Sequence, residues 1–245
     1  MRVLSVVLSL LLLAVPAWAQ QQTVPVLMKI TSGTGFFINR DGDLVTNAHV
    51  VQNCRTISVK TVAGEREARL RASDPERDLA VLRVTGAVPA VANLRWNIRD
   101  LTVGDSVVVM GYPGQEGIAG KYQFRTSKVL QLKGPKGEPR FLQLDSVAQH
   151  GNSGGPVLDR AGNVIAVITA NVELYREMQD ASGRAVGDRE LISKSDVAIT
   201  LPVLEDFLRQ NATGYYQSSS GGGTTADRLL EARANRFIVP IRCYL

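Results

Sequence analysis

The 245-residue sequence contains few histidines, cysteines and aromatic residues: two His, two Cys, and 6% Phe, Trp and Tyr together. Two histidines leave two candidates for a general base of the usual kind. The basic residues, which give a net charge of +5, are scattered and not interleaved with aromatic residues, which argues against nucleic-acid binding. No segment after residue 19 is long and apolar enough to span a membrane. We expect no nucleic-acid partner, no cofactor and no metal.

Residues 1–19 have the order of a secretory signal peptide. Arg2 precedes the thirteen-residue apolar run Val3–Val15, and the small-x-small end Ala17-Trp18-Ala19 stands before Gln20. The alternative is a membrane anchor, but such a run is too short to span a bilayer comfortably. We therefore expect cleavage, export to the periplasm or beyond the cell, and no membrane association afterwards.

Short apolar runs separated by turn residues fill most of the chain from Thr34 onward, with little helical periodicity. About ten such runs, including a hairpin at Asp41-Gly42, predict an all-β barrel or sandwich. The segments SGTGFFINRDGDLVTNA and SGGPVLDRAGNVIAVITA resemble each other about 120 residues apart. This weak repeat fits two β-barrels of similar build, the second beginning near residue 105.

The C-terminal part changes in composition. LPVLEDFLRQ predicts an amphipathic helix, and the Ser/Gly-rich stretch after Gln210 predicts a flexible linker. Beyond it, RLLEARANRF predicts a short helix and FIVPIRCYL a short strand that docks on the body. The expected boundaries are 20–104 for the first barrel, 105–210 for the second, 211–226 for the linker and 227–245 for the tail.

Cys54 and Cys243 are the only cysteines. In an exported protein an even count favours a disulfide, which here would tie the tail to a segment near Cys54. Two unpaired thiols, or a bond between chains, are the alternatives.

The stretch QHGNSGGPVLD, residues 149–159, places Ser153 between glycines. Alone, it fits a glycine turn as well as a nucleophile, because a serine hydroxyl needs a base, an orienting acid and two aimed amides. Gly151 and Ser153 can supply those amides if the loop folds tightly. His49 is the better base, since His150 lies on the same loop as the serine.

The orienting acid is expected to be Asp78, which begins the apolar run LAVLRV and so would enter the fold. Asp74 and Glu76 are nearby alternatives within an exposed polar run.

Three motifs, TNAHVV, DLAVL and GNSGGPVLD, resemble in order and spacing those of chymotrypsin-fold serine proteases, most closely the HtrA/Deg-like branch. The resemblance covers roughly residues 30–210. It implies two six-stranded antiparallel β-barrels with the site in the cleft between them. By residue, it implies His49, Asp78 and Ser153 as the catalytic triad, and the amides of Gly151 and Ser153 as the oxyanion hole.

The sequence departs from that family in three places. Asn152 stands where proteases activated by cleavage use an aspartate, so we expect no activation by a new N-terminus. Too few residues follow for the PDZ domain that is usual in HtrA proteins. His150 replaces the usual residue, either as a loop residue lining the cleft or as a group whose protonation perturbs the oxyanion loop.

The substrate pocket is expected between residues 145–150 and the strand at 168–171. We expect His150, Ile168, Thr169 and Ala170 to contact substrate. We also expect small aliphatic side chains to be preferred and the charged loop 172–195 to shape the cleft.

The predicted activity is that of an endopeptidase for unfolded or flexible protein or peptide substrates. A catalytically silent trypsin-like fold acting as a binding or chaperone module is the alternative, and the tail strand could also inhibit by adding near the cleft.

Overall fold

The computed structural model describes residues 29–176, 182, 184, 190–218 and 223–245. The expected signal peptide, residues 1–19, lies outside them. Among the helices of this part of the chain, none has the length and apolar character needed to cross a bilayer.

The first barrel is a closed, six-stranded antiparallel barrel. Around it the strands follow the order β1-β14-β3-β4-β5-β2. These strands are β1 (Ile30–Phe37), β2 (Asp43–Thr46), β3 (Thr56–Thr61), β4 (Gly64–Asp74), β5 (Leu79–Val84) and β14 (Ile238–Tyr244).

The last strand of the chain completes this barrel. β14 lies between β1 and β3, with Gly35 opposite Val239 and Val59 opposite Ile241. The predicted strand FIVPIRCYL is thus present and docks on the body. It is not an appendage after the second barrel, however, because without it β1 and β3 would each lose their partner on that side. The first barrel is therefore built from both ends of the described chain.

The second barrel has six antiparallel strands in the order β10-β7-β8-β9-β12-β11, and a β10–β11 pairing closes it. These strands are β7 (Ser106–Gly111), β8 (Gln123–Gln131), β9 (Phe141–Asp145), β10 (Pro156–Leu158), β11 (Val164–Arg176) and β12 (Glu190–Thr200). Two short strands, β6 (Asn93–Arg95) and β13 (Tyr216–Ser218), extend the sheet beyond β11 in parallel. The two-barrel, all-β prediction is confirmed.

In the described part of the chain, four α-helices and one 3₁₀ turn connect or cover the barrels: α1 (Ala48–Val51), α2 (Gly114–Ile118), the 3₁₀ turn Pro135–Gly137, α3 (Leu201–Gln210) and α4 (Asp227–Ala234). The predicted amphipathic helix is α3, which buries Leu201, Leu204, Phe207 and Leu208. α4 corresponds to the predicted tail helix. β2 stops at Thr46, and His49 lies in the single turn of α1.

The internal repeat corresponds to two turns of the same construction. Asn39 Oδ1 accepts the amides of Asp41 and Asp43, two and four residues later. Asp159 Oδ1 likewise accepts the amides two and four residues later, in the turn between β10 and β11. Each side chain satisfies amides that the tight turn leaves unpaired, so the resemblance between the two segments has a structural basis.

One apolar cluster joins the two barrels. Phe36 of the first barrel, Met110 of the second, Phe207 of α3 and Phe237 before β14 all belong to it, and each is at most 1% exposed. Each barrel has a further apolar interior of its own. Because the shared cluster fixes the barrels against each other, residues on facing loops keep a defined separation.

Two other sequence expectations concern the cross-link and the loop 172–195. Cys54 and Cys243 form the expected disulfide, with their Cα atoms 5.2 Å apart. The described part of 172–195 is an extension of strands β11 and β12, with Val172 opposite Ser195 and Arg176 opposite Glu190, rather than a loop. Most residues between these strands lie outside the described part.

Candidate active site

His49 and Asp78 are brought into contact from positions 29 residues apart in sequence. His49 Nδ1 lies 2.8 Å from Asp78 Oδ2 and 3.0 Å from Oδ1. The same carboxylate accepts the His49 backbone N–H at 3.0 Å. Asp78 has a left-handed φ of 54°, and Asn47 Nδ2 donates to its carbonyl at 2.8 Å. Aspartate tolerates this conformation better than most residues, and it directs the carboxylate to α1.

The environment of Asp78 favours its charged form. Burial raises the pKa of its carboxyl, but the hydrogen bonds from His49 and Thr169 outweigh that effect and hold the pKa below its usual value. Thr169 Oγ1 donates to Asp78 Oδ2. The carboxylate therefore stays ionised, and its contact with Nδ1 favours the tautomer in which that nitrogen carries the proton.

The alternative acids are Asp74, the last residue of β4, and Glu76, in the turn that follows it. Asp74 Oδ1 accepts the amides of Glu76 and Arg77 at 3.0 Å each. Asp74 thus stabilises its own turn, and within the described residues Asp78 is the carboxylate that contacts His49.

Ser153 lies beside the same group of residues. Its Oγ donates to the Thr169 carbonyl at 3.4 Å, and within the described residues it makes no hydrogen bond to His49. Hydrogen bonds between a nucleophile and its base are often long without substrate and tighten when it binds. Thr169 thus contacts Asp78 through its hydroxyl and Ser153 through its carbonyl.

The turn before Ser153 has every carbonyl from residue 148 to 153 hydrogen-bonded. These carbonyls and their donors are Ala148 with Asn171 Nδ2 (3.2 Å), Gln149 with Asn152 N (2.9 Å), His150 with Gly114 N (2.7 Å), Gly151 with Thr34 Oγ1 (2.7 Å), Asn152 with Gly155 N (2.8 Å) and Ser153 with Thr34 N (2.8 Å). The amides of Gly151 and Ser153, in contrast, have no acceptor among the described residues. Two unpaired N–H groups thus lie at the nucleophile candidate, one on Ser153 itself and one two residues before it.

Two glycines make this turn possible. Gly151 and Gly154 have φ of 98° and 82°. A Cβ on Gly151 would lie 2.5 Å from the Tyr112 carbonyl oxygen, and one on Gly154 would lie 2.3 Å from that of Thr34. Both positions therefore require glycine for backbone angle and for space.

The four residues expected to contact substrate, His150, Ile168, Thr169 and Ala170, differ in their exposure and in what they line. His150 is exposed on the turn, whereas Ile168 is 2% exposed and its side chain packs in the second barrel, so it reaches the site through its backbone. Thr169 and Ala170 line a largely apolar cavity of about 630 Å³ beside Asp78. The Pro135–Arg140 turn, Phe141, Val172 and Val197 form the rest of its lining.

Sequence reasoning did not identify two residues at the site, Thr34 and Asp196. Thr34 is fully buried and bonds to Gly151, Ser153 and the Tyr112 amide. Asp196 is fully buried and accepts the amides of Val147 and Ala148. One signal could have revealed Asp196: SDVAIT repeats the pattern of RDLAVL, an aspartate that begins an apolar run.

Asn152, which stands where proteases activated by cleavage use an aspartate, is 1% exposed. Its Oδ1 has no hydrogen-bond partner among the described residues and lies close to Gly111. As for metal binding, the described chain contains no cluster of three or more His, Cys, Asp or Glu residues arranged around a common point.

The family model of the trypsin-like peptidase domain matches residues 33–167. The chain is 42% identical over 223 residues to the uncharacterized protein y4bJ of Sinorhizobium fredii, covering 87% of this chain and 32% of that protein. It is 31% identical over 205 residues to serine protease HTRA4 of Mus musculus, covering 74% of this chain and 42% of that protein. The chain thus spans less than half the length of these two relatives.

Two solved protease structures are also similar to this chain. The HtrA-type protease AlgW with a decapeptide is similar at a TM-score of 0.57 and 25% identity, over 74% of this chain and 51% of that one. The Rv3671c protease in an inactive form is similar at a TM-score of 0.56 and 27% identity, over 76% of this chain and 88% of that one. By sequence and fold, the chain belongs to the trypsin-like peptidase family, with relatives of the HtrA type.

Proposed function

We propose that the protein is an exported serine endopeptidase that hydrolyses peptide bonds in unfolded or flexible protein chains. The observation that carries this proposal is the contact between His49 Nδ1 and the Asp78 carboxylate at 2.8 Å. This contact favours the tautomer in which Nδ1 carries the proton, so that Nε2 can act as a base toward Ser153. Membership of the trypsin-like peptidase family supports the same chemistry.

The first step is attack of Ser153 Oγ on the scissile carbonyl carbon. His49 Nε2 takes the hydroxyl proton as the C–O bond forms, and Asp78 stabilises the resulting imidazolium through the Nδ1–H. The proton then moves from Nε2 to the leaving amine, and the C–N bond breaks. Water repeats the sequence on the acyl-enzyme, which releases the carboxylic acid and restores Ser153.

The amides of Gly151 and Ser153 are the groups we assign to the oxyanion. During attack the carbonyl oxygen gains negative charge, and N–H donors already fixed in place stabilise it without reorganisation. Both amides lack acceptors among the described residues, while the carbonyls around them are held by other donors. The turn therefore presents donors, not acceptors, to the reacting carbonyl.

The substrates we propose are protein or peptide segments with small aliphatic residues before the cleaved bond. Such a segment would lie along Thr169 and Ala170 and place earlier side chains in the apolar cavity beside Asp78. The solved structure of AlgW, a structural relative, is of that protease with a decapeptide, which supports peptides as ligands here. Export is proposed from the signal-peptide pattern of residues 1–19 and agrees with the disulfide.

A peptide-library digest, with products identified by mass spectrometry, tests this function. The wild type should cleave after a small set of aliphatic residues, and Ser153→Ala should cleave nothing above the blank. Asp74→Asn is a matched control, because it alters a nearby carboxylate that does not contact His49. Absence of cleavage by folded wild type would favour the binding-module alternative, and equal cleavage by Ser153→Ala would exclude Ser153 as the nucleophile.

A further inference from the structure

Asn171 and Asp196 are cross-strand partners on β11 and β12, and both bind the same residue. Asp196 Oδ2 accepts the Ala148 amide at 2.6 Å, and Asn171 Nδ2 donates to the Ala148 carbonyl at 3.2 Å. The two strands therefore hold Ala148 by both of its backbone polar groups. Neither the proton transfers nor the oxyanion contacts of the proposed mechanism use these two side chains.

Burying Asp196 at this position costs free energy that its hydrogen bonds must offset. Its side chain is fully buried, and within the described residues it forms no ion pair. Its carboxylate is instead satisfied by the amides of Val147 and Ala148, with Ser146 Oγ at 3.4 Å from the other oxygen. Burying a carboxylate is unfavourable without such partners, and an apolar side chain would fill a barrel wall at lower cost.

Ala148 lies three residues before Gly151 and five before Ser153, at the point where the chain enters the tight turn. The far side of the turn is fixed by Thr34, which bonds to the carbonyls of Gly151 and Ser153. The buried side chain of Asn152, inside the turn, has an unpartnered Oδ1. On the near side, where the chain enters the turn, the pair Asn171 and Asp196 holds Ala148.

We propose that Asp196 and Asn171 are positioning residues: by clamping Ala148 they keep the Gly151 and Ser153 amides aimed at the developing oxyanion. The inference rests on the proposed peptidase function, because it assigns the clamp a role in that reaction. It also makes a prediction that needs no catalysis, namely that the clamp restrains residues 146–151 in the free protein.

Three variants test the clamp. Asp196→Ala removes the acceptor of two amides, while Asp196→Asn keeps a carbonyl oxygen that can occupy the Oδ2 position and accept both. Asn171→Ala removes only the bond to the Ala148 carbonyl, and because Asn171 is exposed this variant should fold even if Asp196→Ala does not. Asp159→Ala is the matched control, since Asp159 is also buried and accepts two amides, but in the β10–β11 turn.

The measurements are hydrogen exchange of a peptide covering residues 146–153 and steady-state cleavage of the best library peptide. Asp196→Ala should exchange faster in this peptide and lose kcat by about 100-fold with KM within about threefold, the loss typical of a misplaced oxyanion donor. Asn171→Ala should show a smaller loss, about fivefold, and Asp196→Asn should recover most of the activity. Asp159→Ala should leave both the exchange and kcat unchanged.

Unchanged exchange in the 146–153 peptide of folded Asp196→Ala and Asn171→Ala would overturn the inference, whether or not the enzyme is active. So would a rise in KM alone, or an equal loss of kcat in Asp159→Ala. A wild type that cleaves nothing while its variants show faster exchange would contradict the proposed function and leave the clamp supported.

Discussion

Cys54 and Cys243 form a disulfide that joins the segment after the His49 helix to the last strand of the chain. That strand, β14, is a wall of the first barrel, between β1 and β3. The end of the chain therefore helps to fix the barrel that carries His49 and Asp78. This arrangement gives the tail a structural role, in contrast to the alternative in which it adds to the cleft as an inhibitor.

Removing residues 223–245 should unfold the first barrel and abolish activity. Phe237, Ile238, Val239 and Ile241 are each at most 4% exposed, and burying such side chains contributes roughly 2 kcal/mol apiece. Their loss is comparable with the whole stability of an ordinary domain. Circular dichroism and peptide cleavage of the truncated protein check this. A folded truncation with raised activity would instead support autoinhibition.

Removing the disulfide should weaken the protein without changing its site. The bond joins residues 189 apart, so its loss releases a long loop in the unfolded chain and should lower the free energy of unfolding by about 3–5 kcal/mol. Urea unfolding of the Cys54→Ser/Cys243→Ser double variant measures this, and reductant should destabilise the wild type but not the variant. Equal stability of the two proteins would contradict the prediction.

Asp78→Asn should reduce kcat by roughly 10³- to 10⁴-fold with little change in KM, because an amide can hold His49 in the wrong tautomer. Steady-state kinetics on a cleaved peptide measure the effect. Asp74→Asn, which alters the carboxylate that caps the preceding turn, should stay within about threefold of wild type. Comparable losses in both variants would mean that the turn, not the contact to His49, is responsible.

Asp43 should make the stability of the first barrel pH-dependent. Burial raises the pKa of its carboxyl, but hydrogen bonds from Arg83, Asn39 and Arg71 outweigh this and hold the pKa below its usual value of 3.8. The stabilisation is thus complete above that value and is lost as the pH falls through the lowered folded-state pKa.

The variant Asp43→Asn isolates this contribution. Its free energy of unfolding should be about 2 kcal/mol below wild type near neutral pH, less than for a fully buried pair because both arginines are 35% exposed. In urea titrations the gap should close as the pH falls below 3.8. A gap that is constant, or that widens in acid, would contradict this assignment.

Local patterns in the sequence were sufficient for much of the fold. LPVLEDFLRQ has apolar residues at helical spacing, and α3 begins and ends with that segment. The repeated hairpin segments and the short apolar runs predicted two β-barrels, because hairpins are encoded by neighbouring residues. His49 and Asp78 were predicted from their motifs, and the structure brings them into contact.

Features that depend on distant parts of the chain were not predictable in this way. The pairing of β14 with β1 joins residues more than 200 positions apart, and no local signal specifies it. The single turn of α1 contains two valines and is too short for helical periodicity to show. Asp196 begins the apolar run VAI, as Asp78 begins LAVL, but its hydrogen bonds to the amides of Val147 and Ala148 depend on the packing of β12 against the turn.

Labelling with a serine-directed fluorophosphonate, followed by peptide mapping, tests the central claim most directly. The account predicts one adduct per folded wild-type chain, located on Ser153, no adduct in Ser153→Ala, and labelling at least about 100-fold slower in His49→Ala. Folded wild type that takes up no label, or an adduct that persists in Ser153→Ala, would contradict the assignment of Ser153 as a nucleophile activated by His49.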